Sequence, residues 1–275
     1  MEITQEALMD YLACPVKHRY RHILKTDPLL YKSESGEVEV DERMLEEVFE
    51  KQMHQLCYHL FHYVQDEKYP SEYILRQKWG SAWAKGRKVD DLMHRQKRIR
   101  KNETNHHKYM EEAGIRAIEG IHKKFKDAHG IPLLIGMRMD VKVGKHKVNA
   151  VIDLVRELNG KLELMEFNSG MNTRLRTSLR SRPVNLHIEH DIATTLAALA
   201  FEQFSKAALD RIVYYDFISN REFETSRGKQ DYQNLEQLLN QVEKAMEAEI
   251  CYPVLNEQCL SCPFQLECTK GTWRN

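Results

Sequence analysis

The cysteines are the feature that most restricts how this chain can fold, because three of them lie close together near its end. They follow the pattern C-x2-C-x5-C at Cys259, Cys262 and Cys268. Three thiols at this spacing can converge on one metal centre, but a four-cysteine centre needs one more ligand from elsewhere in the chain. We choose Cys14, which precedes a proline near the opposite end. The spacing therefore predicts a metal centre that joins two distant segments.

Spacing alone leaves the metal open. Four cysteines suit tetrahedral zinc as well as an iron-sulfur cluster. Zinc ribbons usually pair two short C-x-x-C knuckles, and only one is present here, which favours iron-sulfur. The remaining cysteines, Cys57 on an apolar helical segment and Cys251 after an amphipathic one, are predicted to be core thiols.

Composition limits the setting of the protein. The 275 residues include 41 Lys and Arg and 41 Asp and Glu, so net charge gives no general signal for a polyanionic partner. No run approaches the ~18 apolar residues of a membrane span, and the first residues lack the apolar core of a signal peptide. We therefore expect a cytoplasmic protein without membrane contact, whose six cysteines are ligands or buried thiols rather than disulfides.

The hydrophobic pattern changes period near Pro132. Before it, apolar residues recur at helical spacing from Asp41 to Phe61 and from Glu103 to His129. After it come three strand-like segments, 131–143, 146–158 and 161–169, with an Asn159-Gly160 hairpin signal between the last two. A helix (187–209), two strands (210–219 and 221–227) and a closing helix (231–250) follow.

This order predicts an α/β fold, a central mixed sheet flanked by helices. No repeat or linker marks a boundary, so we expect a single domain over residues 1–275. Within it we expect a helical insertion at about 41–130 and a cysteine-rich tail at 251–275.

The cysteine arrangement, with the Cys-Pro-x-x-x-x-Tyr segment that begins at Cys14, resembles the iron-sulfur-containing RecB-like nucleases of the PD-(D/E)XK superfamily. These include the CRISPR-associated RecB-family exonucleases and the AddB nuclease domain. The resemblance spans nearly the whole chain. It implies a restriction-endonuclease-like fold, a 4Fe-4S cluster on Cys14, Cys259, Cys262 and Cys268, and DNA cleavage that depends on Mg²⁺ or Mn²⁺.

The same resemblance implies metal ligands at His54, Asp153 and Glu166. Carboxylate oxygens suit Mg²⁺ and Mn²⁺, which activate water and neutralise charge on the scissile phosphate. The alternation of strand side chains puts Glu166 and Asn168 on one face, and the hairpin brings Asp153 alongside. Asp153 is a candidate even without the resemblance, because a carboxylate inside the apolar run AVIDLV is costly to bury unless it is paired or binds metal.

Two positions depart from the family pattern. Asn168 stands where the family has lysine, and we expect Lys142, on the preceding strand, to be a substitute. His190 and Thr194 stand where the family has a Gln-x-x-x-Tyr pair.

We expect a metal-dependent deoxyribonuclease, single-strand-directed or end-directed, with weak or specialised activity. The alternative is a catalytically degenerate protein that binds DNA or a protein partner without cleaving, and a zinc-stapled protein of unrelated function is a third.

Two basic segments are candidate nucleic-acid contacts. Arginines suit phosphate bidentately, and four of them follow the third strand, so we expect contacts to DNA from Arg174, Arg176, Arg180 and Arg182. A longer basic run contains Trp79 and Trp83, which are predicted either to stack on single-stranded bases or to belong to the core. A protein partner in a DNA-processing complex is a further expectation.

Overall fold

The helices and strands follow the hydrophobic pattern closely. A computed structural model describes residues 1–26, 42–94, 101–168, 188–256, 259, 262 and 264–271. The helices are α1 (Gln5–Ala13), α2 (Pro15–His18), which continues into a π-helical turn (Arg19–Ile23), α3 (Glu42–Gln65), α4 (Glu72–His94), α5 (Lys101–Phe125), α6 (Ile192–Ser205), α7 (Lys229–Glu247) and α8 (Gln265–Thr269). The strands are β1 (Glu2–Thr4), β2 (Ile131–Val143), β3 (His146–Leu158), β4 (Lys161–Asn168), β5 (Arg211–Asp216) and β6 (Arg221–Thr225). No helix in these ranges is long and apolar enough to cross a membrane.

The described strands form one mixed sheet. β3 pairs antiparallel with β2 and β4, β4 pairs parallel with β5, and β5 pairs antiparallel with β6. The turn between β3 and β4 is the predicted hairpin, with φ of 55° at Asn159 and 74° at Gly160, as a two-residue turn of this type requires. The predicted mixed sheet flanked by helices is confirmed.

Helices cover both faces of the sheet. On one face α3, α4 and α5 bury Phe49, Trp79 and Ile118 against Leu154 and Phe167 of the strands and their neighbours. The opposite face carries α1, α6 and α7, through residues that include Leu8, Leu196 and Leu239. Because the sheet is buried on both sides, its strands are mostly apolar, and a carboxylate within them needs a specific partner.

The sheet is interrupted along one edge of β3. One edge pairs with β2, and the other is shared by two shorter strands. There β1 pairs with Lys147–Asn149 and β4 with Leu154–Leu158, so residues 150–153 have no strand partner on that side among the described residues. The side chain of Gln5 accepts a hydrogen bond from the Val151 N–H at 2.9 Å. The gap ends at Asp153.

Several elements differ from the sequence-based expectation. The short strand β1 and the helix α4 were not predicted, and α5 ends at Phe125 rather than His129. Trp79 and Trp83 are each only 2% exposed and stack on each other inside the core, so they do not offer faces to nucleic-acid bases. The apolar face of α4 was not recognised in the sequence, because charged residues are interspersed along that segment.

Gly136 positions the helix layer over the sheet gap. The β2–β3 register places it opposite Asp153, and its φ of +56° is a conformation that L side chains rarely adopt. A Cβ there would lie 2.8 Å from the ring of Tyr58. We predict that Gly136→Ala lowers the free energy of unfolding by about 1–3 kcal/mol or more, through backbone strain and crowding.

Gly80→Ala is the matched control, because Gly80 lies in α4 and a Cβ added there would meet nothing within 4 Å. That change should raise stability by about 0.5–1 kcal/mol, as expected for Gly to Ala in an exposed helix. Urea denaturation of both variants measures the difference. Equal stability of Gly136→Ala and the wild type would contradict the tight packing at Tyr58.

Candidate active site

Asp153 lies where β3 and β4 separate. The backbone pairing of these strands runs from Leu158 and Lys161 to Leu154 and Met165. Beyond that point the Phe167 N–H donates to Asp153 Oδ2 at 2.9 Å. The carboxylate thus takes the place that a backbone carbonyl would have in a continuous ladder. Asp153 is 4% exposed, so this bond is made away from solvent.

Helix α3 supplies two further partners to the same carboxylate. His54 and Tyr58 are one helical turn apart, which places both on the face that packs against the sheet. His54 Nδ1 lies 3.1 Å from Asp153 Oδ1, and the Tyr58 hydroxyl donates to the same oxygen. The Asp153 side chain therefore joins β3, β4 and α3.

The charges of His54 and Asp153 stabilise each other. Burial alone lowers the pKa of His54, but the charge of Asp153 and the hydrogen bond to it outweigh burial, so the pKa lies above its ordinary value. Burial raises the pKa of Asp153, and the charge of His54 with the bonds from His54, Tyr58 and Phe167 more than reverses this. An ion pair between the two side chains follows.

Glu166 has the opposite electrostatic environment. It precedes Phe167 on β4 and lies opposite Tyr214 of β5. Its Oε1 atom is buried and makes no hydrogen bond. Burial raises the pKa of Glu166 well above its usual range, the charges of Asp153 and Asp191 raise it further, and Arg227 lowers it only in part. Without a cation, this carboxyl group is therefore neutral under conditions in which an exposed glutamate is charged.

The buried atoms at this site fit a divalent cation. His54 Nε2 is buried without a hydrogen bond, and its nearest charged partner is Glu50 Oε1 at 4.0 Å. Once the Nε2 proton of the charged imidazole is displaced, a histidine that still donates Nδ1–H to a carboxylate presents the Nε2 lone pair as a ligand. Glu166 Oε1 is the second buried polar atom without a partner. One imidazole nitrogen and two carboxylates are a donor set that suits a divalent cation, whose charge would favour the ionised form of Glu166.

The described residues contain no ready-made coordination group. No three His, Cys, Asp or Glu side chains among them are arranged to hold a metal ion. At the sheet gap, His54 and Asp153 instead bond to each other. In the metal-free protein these two side chains are therefore held by each other and do not form a preformed cage.

The first turn of α6 forms the other wall of the site. Asp191 caps the helix by accepting from the Thr194 N–H at 2.9 Å. The Thr194 hydroxyl bonds to the Tyr214 hydroxyl, and the Thr195 hydroxyl accepts from Arg227 Nε at 2.8 Å. Through Tyr214, this wall is next to Glu166.

A family comparison covers nearly the whole chain. Residues 2–269 match the PD-(D/E)XK nuclease superfamily. The chain belongs to this superfamily. No curated protein matches it.

Asp153, Glu166 and Asn168 are the residues that we compare with the motif of the PD-(D/E)XK superfamily. The acid on β3, the acid on β4 and position 168 occur in the order of that motif, but the lysine is replaced by an amide. Lys142 does not take the place of that lysine. It pairs with Lys147 on β3, six residues along that strand from Asp153, and its backbone bonds to Gln203. At ~3.3 Å per residue this is a separation of about 20 Å along the strand.

Other predicted contacts have different outcomes. His190 is exposed just before α6, and the Thr194 hydroxyl is engaged with Tyr214, so neither reproduces the expected Gln-x-x-x-Tyr contacts. The four predicted DNA-binding arginines, Arg174, Arg176, Arg180 and Arg182, lie outside the described residues.

Four of the cysteines of this PD-(D/E)XK chain lie around one small apolar cluster. Tyr20 and Phe264 stack at its centre with ring centroids 5.5 Å apart, beside Val16. Four cysteines pack on this cluster: Cys14, Cys251, Cys262 and Cys268. Burial raises the pKa of Cys268, and the charges of other thiols, Cys14, Cys262, Cys259 and Cys251, raise it further. Cys251 is therefore half-buried beside the predicted ligands, whereas Cys57 is a core thiol as predicted.

A hydrogen bond from an asparagine side chain brings the tail to the first cysteine. Asn256 Nδ2 donates to the carbonyl of Ala13, the residue before Cys14, at 3.2 Å. The Asn256 backbone N–H lies 3.4 Å from Cys259 Sγ as a donor to that sulfur. The two cysteine segments are thus held together by the polypeptide itself.

Sequence reasoning missed three members of this site. Tyr58 has a signal, since it follows His54 by one helical turn. Arg227 and Tyr214 have none, because only the parallel pairing of β4 with β5 and the docking of α6 bring them to Glu166.

Glu166→Gln should stabilise the protein when divalent metal is absent. A carboxyl whose pKa is raised in the folded state favours folding fully below its unfolded pKa, and that contribution is lost as pH rises through the folded value. The wild type should therefore lose stability as pH rises above about 4.3, the ordinary glutamate pKa, and the glutamine variant should lose less. Thermal denaturation in a chelator at several pH values measures this difference.

Glu157→Gln is the matched control, because Glu157 is exposed on β3 and its replacement should leave the pH profile unchanged. Adding Mn²⁺ should reverse the order, stabilising the wild type more than Glu166→Gln. A glutamine variant that is less stable than the wild type in chelator at neutral pH would contradict the repulsion assigned to Glu166.

Proposed function

We propose that this PD-(D/E)XK protein is a divalent-metal-dependent DNA nuclease that acts on single strands or ends. The observation that carries the proposal is the presence of two buried polar atoms without hydrogen-bond partners, His54 Nε2 and Glu166 Oε1, on side chains that interact with the Asp153 carboxylate. PD-(D/E)XK nucleases typically use Mg²⁺ or Mn²⁺, and membership of the superfamily suggests DNA as the substrate.

His54, Asp153 and Glu166 would hold the cation. When bound, it supplies charge neutralisation at the phosphate and activates water for attack. Tyr58 and the Phe167 N–H hold Asp153 in place, which keeps the carboxylate pre-organised. Burial of these groups strengthens each electrostatic interaction in the site.

A structural iron-sulfur cluster is the second part of the proposal. The support is the placement of Cys14, Cys262 and Cys268 on one apolar cluster, with Cys259 within electrostatic range of Cys268. In a 4Fe-4S cluster each cysteine binds a different iron, so the four sulfurs stay further apart than ligands that share one ion.

A catalytically degenerate binding protein is the competing function. Asn168 lacks the charge of the motif lysine, and His190 and Thr194 do not provide the expected glutamine and tyrosine. Such a protein would bind DNA, with candidate contacts at Arg174, Arg176, Arg180 and Arg182, or a protein partner, without cleavage.

The nuclease is tested with anaerobically purified protein, Mn²⁺ or Mg²⁺, and end-labelled linear and circular single-stranded DNA. We expect cleavage of the linear strand, and a loss of about 100-fold or more in Asp153→Asn, because an uncharged amide replaces a carboxylate ligand. Asp140→Asn is the matched control, since Asp140 is an exposed residue on β2 that bonds Asn149 and Lys147. It should leave cleavage unchanged.

Two results would contradict the nuclease. Equal cleavage by Asp153→Asn and the wild type would point to a contaminant. Absence of both Mn²⁺ binding and cleavage in the wild type would favour the degenerate binding protein. Cleavage of circular as well as linear strands would overturn only the end-directed part of the proposal.

The cluster predicts near-equal iron and acid-labile sulfide in protein purified without oxygen. Cys268→Ser should lower both and reduce thermal stability, because a metal centre that joins distant segments contributes folding free energy. Cys251→Ala is the matched control, since Cys251 packs beside the proposed ligands but is not one of them. Stoichiometric zinc without sulfide would overturn the cluster, and loss of iron in Cys251→Ala would overturn the ligand assignment.

A further inference from the structure

Among the described residues, no lysine stands where the superfamily motif has one. Position 168 is asparagine, and Lys142 lies about 20 Å along the strand from Asp153. A nuclease site that gathers Asp153 and Glu166 around a negatively charged phosphate transition state benefits from positive charge beyond that of the metal. A cation fixed beside Glu166 would supply that charge.

Arg227 is such a cation, and neutral acceptors hold it. Its Nε donates to the Thr195 hydroxyl at 2.8 Å, Nη1 donates to the Thr225 hydroxyl and the Ser226 carbonyl at 2.9 Å each, and Nη2 donates to the Ile188 carbonyl at 2.5 Å. It forms no ion pair with a carboxylate in the part of the chain that the structure describes. Hydrogen bonds to neutral groups fix the guanidinium without cancelling its charge.

The anchors of Arg227 belong to the same wall as Glu166. Thr195 is in the first turn of α6, and its neighbour Thr194 bonds to Tyr214, which lies opposite Glu166 in the β4–β5 pairing. The charge of Arg227 lowers the pKa of Glu166, although burial and the charges of Asp153 and Asp191 outweigh it. One N–H of Nη2 has no acceptor among the described residues and is left for a ligand.

We propose that Arg227 is a catalytic residue that binds a non-bridging oxygen of the scissile phosphate and supplies the positive charge missing at position 168. This inference rests on the proposed nuclease function. In the hydrolysis, a water oxygen forms a bond to phosphorus, the P–O ester bond breaks, the leaving oxygen is protonated, and the proton lost by water passes to solvent. Arg227 keeps all its protons and stabilises the charge that develops on phosphate.

The test combines Arg227→Gln with Asn168→Lys. Arg227→Gln should lower kcat by about 100-fold, because one charged donor to the transition state is lost, with Mn²⁺ affinity unchanged. Alternation along β4 puts position 168 on the same face as Glu166. A lysine there should therefore restore at least about 10-fold of the loss in the double variant, but add little to the wild type.

Arg221→Gln is the matched control, since Arg221 is an exposed arginine on β6 that does not bond to Arg227. It should keep most of the activity, and melting temperatures and Mn²⁺ titrations of all variants show whether folding or metal binding has changed. Wild-type kcat in Arg227→Gln would overturn this inference and leave the nuclease standing. A loss of kcat that Asn168→Lys does not restore would assign Arg227 a structural role and also overturn it. A wild type that binds Mn²⁺ without cleaving DNA would overturn the nuclease and this inference together.

Discussion

The site depends on one hydrogen bond within the sheet. The Asp153 carboxylate accepts the backbone N–H of Phe167, which would otherwise pair with a carbonyl of the neighbouring strand. This bond lets β3 and β4 separate without leaving the Phe167 N–H unsatisfied. The gap left on β3 is covered at Val151 by Gln5. His54 and Tyr58 bond to the same carboxylate. Asp153 therefore both allows the strands to separate and holds α3 on the sheet.

The two buried acids of the site are compensated unequally. Asp153 is compensated by His54, whereas Glu166 is buried next to Asp153 and Asp191 with only partial compensation from Arg227. Ionisation of Glu166 in this environment destabilises the fold, and a cation bound as proposed would offset that cost. Stability is thereby sacrificed at the position where the proposed chemistry occurs, as is common at functional sites.

Protein contacts alone bring the cysteine-containing segments together. Stacking of Tyr20 on Phe264 and the bond from Asn256 to Ala13 already bring the beginning and the tail of the described chain together. A cluster on Cys14, Cys259, Cys262 and Cys268 would reinforce contacts that packing and hydrogen bonding make by themselves. The proposed cluster and the proposed active site thus lie in separate parts of the fold.

The sequence by itself determined the elements with a strong period and local turn chemistry. The three strands from Ile131 to Asn168 and the Asn159-Gly160 hairpin follow from alternation and from two residues that tolerate positive φ, and Asp153 stood out as a charge in an apolar run. Only the tertiary structure decided which side chains meet that charge. Arg227 reaches the site through the parallel β4–β5 pairing and the docking of α6, and Lys142 is excluded by the register of β2. Neither outcome has a local signal, because contacts between distant segments are set by packing of whole elements and not by the residues next to them in the chain.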